Sequence, residues 1–408
     1  MKNADEGQTP SFADITTIHI GGRIKKFIQP RSRADLISAL IDADSTGQPL
    51  CVIGGGSNML VSDSDFEGTV IRDARRSVSI LDEATPAEPG KPKIVHVEAE
   101  AGVNWDDFVS YTVRMGLAGV EGLSGIPGTV GASVVQNIGA YGQEVATSVD
   151  SVQVWDRQDK KVRNFVGTDL SFGYRTSLLK KTMYRDQAEG TNQRIPSPYF
   201  PTPQYVVLSV TFALTHSQTG VVGMSQLAKA LGVDLGERMG TQEIRNTVLS
   251  IRASKGMVED PARYRNPWMR GTKMTENLGD SGSEFEPDSA LVHDQWSCGS
   301  FFVNPVIPAK LADSQLPADA PRFPAALPDG GAGIKTSAAW LIDHAGFHKG
   351  FTLNGRAAVS SRHTLALTNR GKASSKDMVE LAQTIQEEVR KNFGIDLVPE
   401  PVFVGFSD

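Results

Sequence analysis

Five glycines, at positions 119, 122, 125, 128 and 131, recur at a strict period of three. Glycine at every third position suggests a collagen triple helix, but that structure needs a long repeat rich in proline. Here five triplets carry a single proline, Pro127, inside an otherwise globular sequence. So many positions without a side chain fit a backbone folded tightly around a large flat or pyrophosphate-bearing ligand. Seven glycines fall between Gly119 and Gly142, and three more stand together at Gly54, Gly55 and Gly56. The cluster at Gly54, first along the chain, follows the apolar run Leu50 to Ile53 and leads into Ser57 and Asn58. Strand, glycine loop, then two side-chain donors is a design that suits an anion. It matches neither G-x-G-x-x-G nor the P-loop. Two separated glycine loops point to a dinucleotide cofactor.

The 408 residues suggest two or three domains. With 41 basic and 47 acidic residues the net charge is −6, so no global cationic field exists to hold nucleic acid or an anionic membrane. Cys51 and Cys298 are the two cysteines and fall in no C-x-x-C arrangement, which suggests reduced buried thiols and no metal site. The first residues lack an apolar signal-like stretch, and no segment has the 18 or more apolar residues of a membrane span. The expectation is a soluble cytoplasmic protein.

Along the chain, residues 32 to 47 read as a helix capped by Ser32 and stopped by Gly47, with Leu36, Leu40 and Ile41 on one face. Residues 104 to 116 repeat that logic, with Asn104 as cap, Asp106 and Asp107 in the first turn and Gly116 as stop. Val149 to Val154 and Val206 to Leu214 read as strands, separated by a surface loop over 186–203. Helices are expected over 241–254, 336–345 and 374–393. The last carries a stripe of Met378, Leu381, Ala382, Ile385, Val389 and Phe393 and ends at Gly394. Stretches 256–295 and 306–334 are rich in Pro and Gly and read as loops. A short strand closes the chain. Of the seven histidines, none has a ligand-like spacing, and His19, His344 and His363 read as structural or exposed. Arg23, Lys25 and Lys26 read as a solvated edge.

Taken together, G-G-G-S-N-M-L-V-S-D (54–63) and G-L-S-G-I-P-G-T-V-G-A-S-V-V-Q-N-I-G-A-Y-G (122–142) resemble the two flavin-binding stretches of the UDP-N-acetylenolpyruvoylglucosamine reductase family. The resemblance continues in family order through G-Y-R-T-S (173–177), G-S-F-F-V-N-P (299–305), A-A-W-L-I-D (338–343) and P-E-P-V-F-V-G (399–405). It implies an α+β fold: two α+β subdomains holding FAD, residues 1–76 and 77–270, and a C-terminal α+β substrate-binding domain, 271–397. Residues 398–408 are expected to return to the first piece.

The resemblance further implies that NADPH reduces a noncovalent FAD, which passes a hydride to the enolpyruvyl double bond of UDP-N-acetylglucosamine enolpyruvate. The product is UDP-N-acetylmuramate, a peptidoglycan precursor. Hydride addition at one vinyl carbon leaves negative charge beside the carboxylate, so the site must stabilise that charge and deliver one proton. Ser300 carries over as proton donor, with Arg175 and Glu400 as the partners that stabilise the enol and assist proton delivery. The expected cofactor contacts are Gly54, Gly55, Gly56, Ser57, Asn58, Ser124, Gly125, Ile126, Pro127, Gly128, Gly131, Ala132, Asn137, Gly139, Ala140 and Tyr141. Lys255, Asn304 and Lys335 match positions near the substrate's diphosphate, nucleotide and carboxylate. The family's substrate-covering tyrosine is replaced in the stretch Met224-Ser225-Gln226-Leu227, with Tyr199 or Tyr205 as candidate substitutes. No histidine lies in 54–58, where covalent-flavin relatives of this FAD fold often carry one, which favours dissociable FAD. The expected partners are the UDP-sugar and NADPH, with no nucleic acid and no membrane, and the chain is expected to be a monomer. A flavin oxidase of a sugar or hydroxy acid, and a catalytically silent UDP-sugar-binding flavoprotein, are the competing readings.

Overall fold

The computed structural model describes residues 9–82, 92–183, 202–274, 289–327 and 330–406. Near the N-terminus three parallel strands lie in the order Ile24–Ile28, Phe66–Ile71, Leu50–Val52. Helix Arg33–Thr46 makes the crossover between the first and the last of these. Ser32 accepts a hydrogen bond from Asp35 N at 3.1 Å, and Gly47 ends the helix at φ +63°. Leu36, Ala39, Leu40 and Ala43 turn inward against Leu50 and Ile71 and against Trp155, Val206 and Leu208 of the next sheet. Ile41, expected on that face, instead lies 40% exposed, because it stands 100° further round the helix than Leu40.

The second sheet is antiparallel, in the order Lys161–Val166, Val149–Asp156, Tyr205–His216, Ile94–Glu100, Val78–Ile80. Helix Trp105–Arg114 covers it, with Asn104 accepting from Asp106 N and Asp107 N as its composition foretold. Trp105, Phe108 and Phe212 form the aromatic centre of this core, with the two phenylalanine centroids 4.5 Å apart. The expected surface loop falls largely on 184–201, outside the described residues.

Toward the C-terminus, Ser297–Ser300, Ala366–Asn369 and Ala357–Val359 form a small antiparallel sheet. Helices Ala338–His344 and Ser375–Phe393 pack on it. All six residues of the expected stripe on the last helix are buried, and a Ser374–Asp377 capping box starts it. The chain then returns: Val402–Val404 pairs in parallel with Met59–Val61, the strand that leaves the first glycine loop.

Two stretches read as loops are more ordered than their composition suggests. Within 306–334, strands Val306–Pro308 and Phe323–Ala326 flank Ala332–Lys335 in an antiparallel sheet, with helix Ala309–Gln315 between them. Within 256–295, a 3-10 turn at Pro261–Arg265 and a helix at Ser289–Gln295 form. Tyr264 and Met269 of this excursion pack with Phe12, Ile24 and Val70 in the N-terminal core. Residues 275–288 of it lie outside the described residues. No described helix is long and apolar enough to cross a membrane.

Candidate active site

The two glycine loops touch. Ser57 Oγ donates to Pro127 O at 2.8 Å, and a Cβ on Gly55 would stand 2.6 Å from Gly128 Cα. One on Gly54 would meet Thr129 Oγ1 at 2.7 Å. Gly56, at φ +66°, lies against Ile15 O, so neither its conformation nor its space admits a side chain. The period-three run divides accordingly. Gly122 donates its N–H to Gln143 at 2.6 Å, Gly125 donates to Asp106 at 2.7 Å and packs under Leu249, and Gly131 packs on Ala101. Among the five, Gly128 meets the first loop. Much of the run is thus glycine where backbone packs closely on protein.

Two cavities open on either side of this junction. One, about 320 Å³, is bounded by Asn58, Pro127, Tyr141, Arg175, Ser300 and Glu400 among others. The other, about 190 Å³, is walled by apolar side chains such as Leu36, Val52, Val135 and Val206. They share Ser57, Asn58, Thr129, Ala132 and Gln136. The glycine loops thus lie between two cavities, an arrangement that an elongated ligand is able to span.

Ser300, Arg175 and Glu400 come from three distant parts of the chain and line the same cavity. Gly299, at φ +78° in an irregular strand, sets Ser300 at the wall. Glu400 N donates to Phe301 O at 2.9 Å, so the returning C-terminus lays Glu400 beside the Ser300 strand. Arg175 sits in a turn closed by mutual Gly173–Thr176 hydrogen bonds and holds φ +56°. That left-handed conformation costs a non-glycine residue roughly 1–2 kcal/mol and marks a position fixed by its surroundings. Asn137 Nδ2 donates to Gly173 O at 2.8 Å, and Arg175 donates to Gly139 O at 2.8 Å. The guanidinium then meets Glu400 Oε1 at 3.2 Å.

Of the remaining expected residues, Ile126, Gly139, Ala140 and Lys255 line the main cavity, and Gly131 the second. Ser124 is fully buried and donates to Glu121 O, away from both. Lys255 Nζ donates to Gln226 at 2.9 Å, and burial, then Arg252, lowers its pKa. Lys335 and Asn304 line neither of these two cavities. Lys335 Nζ lies 5.3 Å from the Tyr174 ring centroid, and Asn304 accepts from Ala338 N at 2.9 Å. Met224 and Gln226 line the main cavity, Tyr205 lines the second, and Tyr199 falls outside the described residues. Among the described residues no group of His, Cys, Asp or Glu is arranged to hold a metal ion.

Several wall residues escaped sequence reasoning. His19 and His363 both face the main cavity, whereas only His344 is exposed as expected. Burial, then the charges of Lys255, Lys349 and Arg252, push His363 from 6.5 down to about 4. The neutral ring is thus the folded form near pH 7, and this site's contribution to stability is complete above pH 6.5 and is lost as pH falls toward 4. An NMR titration should find His363 still neutral at about pH 5.5; a midpoint at or above 6.5 would contradict this account of the wall. Gln136 and Lys180 were also missed. Gln136 Nε2 donates to Glu400 Oε1 at 3.1 Å and its carbonyl accepts from Lys180 Nζ at 2.7 Å.

Fold and cavity together define a two-loop dinucleotide-binding protein whose end strand closes the site. Residues 24–164 match the model of an FAD binding domain, and residues 291–404 that of the UDP-N-acetylenolpyruvoylglucosamine reductase C-terminal domain. The chain is 39% identical to the UDP-N-acetylenolpyruvoylglucosamine reductase of Cutibacterium acnes, over 98% of this chain and 90% of that one. It is also 39% identical to the enzyme of Thermobifida fusca, over 97% of each. The crystal structure of UDP-N-acetylenolpyruvylglucosamine reductase from Thermus caldophilus shares the fold, with a TM-score of 0.55, 24% identity and 98% of both chains covered. The chain belongs to the UDP-N-acetylenolpyruvoylglucosamine reductase family.

Proposed function

We propose that this protein is an FAD-containing oxidoreductase that uses NADPH to reduce UDP-N-acetylglucosamine enolpyruvate to UDP-N-acetylmuramate in peptidoglycan precursor synthesis. The observation that carries the reading is the meeting of Ser300, Arg175 and Glu400 in one cavity bordered by both glycine loops. FAD, when bound, supplies the two-electron chemistry that links NADPH to the vinyl group. The chain's own residues supply the rest. Gly54 to Asn58 and Ile126 to Ala132 hold the cofactor through close backbone approach.

Arg175 opposes the negative charge that develops beside the substrate carboxylate, a role suited to a guanidinium fixed by two backbone carbonyls and one carboxylate. Ser300 Oγ gives its proton to the carbon left electron-rich, and Glu400 assists its delivery. Lys255, His363 and Arg252 form a positive or polar wall for the diphosphate, and Lys335 and Asn304, which flank Tyr174, contact the substrate as well. Net, one hydride equivalent and one proton add across the double bond.

The organisation that goes with this reading is 1–76 and 77–270 around FAD and 271–397 around the substrate, with 398–408 returning to the first piece. A monomer in the cytoplasm, where NADPH and UDP-sugars meet, completes it. The test is consumption of NADPH by the purified yellow protein. It should require the enolpyruvyl substrate and match UDP-N-acetylmuramate formed mole for mole. Oxygen-dependent turnover of a sugar or hydroxy acid would support the oxidase reading instead, and UDP-sugar binding without turnover the silent one.

A further inference from the structure

The short helix Leu178–Lys181 has a fixed seat. Ser177 donates its hydroxyl to Val135 O at 2.8 Å and caps Lys180 N at 3.2 Å, so the helix is pinned to the end of Val130–Gln136. Lys180 is thereby held under Gln136, with Nζ 2.7 Å from Gln136 Oε1 and 3.4 Å from Arg175 O. Gln136 is itself buried.

A glutamine amide has one accepting and one donating end, and a half-turn exchanges them. A lysine ammonium only donates, so the carbonyl end of Gln136 must face Lys180. Its NH₂ is then committed to Glu400 Oε1, at 3.1 Å, the same oxygen that Arg175 Nε approaches at 3.2 Å. We propose that Lys180 is a positioning residue for substrate reduction. By fixing the orientation of Gln136, it keeps two donors on Glu400 and a positive charge behind them. The carboxylate is thus held in one pose while Ser300 delivers its proton. The inference rests on the reading of the cavity given above.

The groups that face this array are few. Arg175, Lys180, Tyr174 and the buried Cys298 thiol surround Glu400, and Glu400 and Arg175 are the charges that act on Lys180. Burial, opposed by Glu400 and reinforced by Arg175, pushes the Lys180 ammonium down to about 8. The relay is therefore poised to lose its charge on the alkaline side of neutrality.

The test follows the NADPH-reduced holoenzyme as the enolpyruvyl substrate reoxidises it, without oxygen, from about pH 5 to 9 in the parent, Lys180→Met and Lys180→Arg. Met keeps the length of the stem but neither charge nor donor. Lys180→Met should slow reoxidation roughly tenfold. The alkaline limb near pH 8 should disappear. Reduction by NADPH, followed separately as flavin bleaching, should change less than reoxidation, and Lys180→Arg, which keeps both charge and donor, should recover most of the reoxidation rate. Superimposable pH profiles for parent and Lys180→Met would overturn the proposal. So would equal losses in Met and Arg variants with unmoved limbs, the mark of a packing role. A parent that the substrate does not reoxidise would overturn the proposed function itself, and the role of Lys180 with it.

Discussion

Ser300→Ala is expected to keep its FAD and its full rate of reduction by NADPH, yet to be reoxidised by the enolpyruvyl substrate roughly 10² to 10⁴ times more slowly. The two half-reactions separate because Ser300 is needed only when the double bond is saturated. Alanine removes the hydroxyl and little else, since Ser300 is held through its backbone, by pairing with Ala366 and by the turn at Gly299. The Arg175–Glu400 pair and the loops stay in place, so charge stabilisation survives and proton delivery does not. Equal reoxidation rates in variant and parent would remove Ser300 from the chemistry and leave Glu400 or solvent as the proton source.

Gly55→Val should strike the cofactor instead. The added Cβ would lie 2.6 Å from Gly128 Cα and 3.1 Å from Gly128 N, which are backbone atoms that cannot swing aside. The two loops must part. Overpacking of this kind costs about 1–3 kcal/mol, which converts to roughly 5- to 150-fold weaker FAD binding if the strain is relieved when the loops separate. Flavin fluorescence quenching on titrating FAD into apoprotein measures it directly. Gly47→Ala is the contrasting control: that glycine is left-handed, at φ +63°, and has no atom within 4 Å of its added Cβ. It should lose helix stability and keep parental FAD affinity. Parental affinity in Gly55→Val would show that the contact between the loops is not what holds the cofactor.

The helices were legible because their signals are local. Ser32 and Gly47, Asn104 and Gly116, and Ser374 and Gly394 each mark a boundary from within a turn of the residues they serve. The sheet over 306–335 was not, because its prolines read as loop. Pro308 and Pro324 both lie on outer strands, where a missing N–H need not break the ladder, and only the three-dimensional strand order reveals that. The site divides in the same way. Ser300, Arg175 and Glu400 were legible from ordered motifs, and the fold brings all three to one wall. Gln136 lay unremarked inside a quoted motif, and Lys180 stood three residues past another. Their relation exists only once Leu178–Lys181 folds onto Val130–Gln136. His363 read as bland because no local pattern shows that three cations from other segments surround it.

Anaerobic stopped-flow absorbance of the purified protein tests the central claim most directly. NADPH alone should bleach the flavin band. Adding UDP-N-acetylglucosamine enolpyruvate with oxygen excluded should then restore it in a single turnover, with one UDP-N-acetylmuramate formed per flavin. A band that stays bleached until oxygen is admitted, or a protein that binds no flavin, would contradict the account.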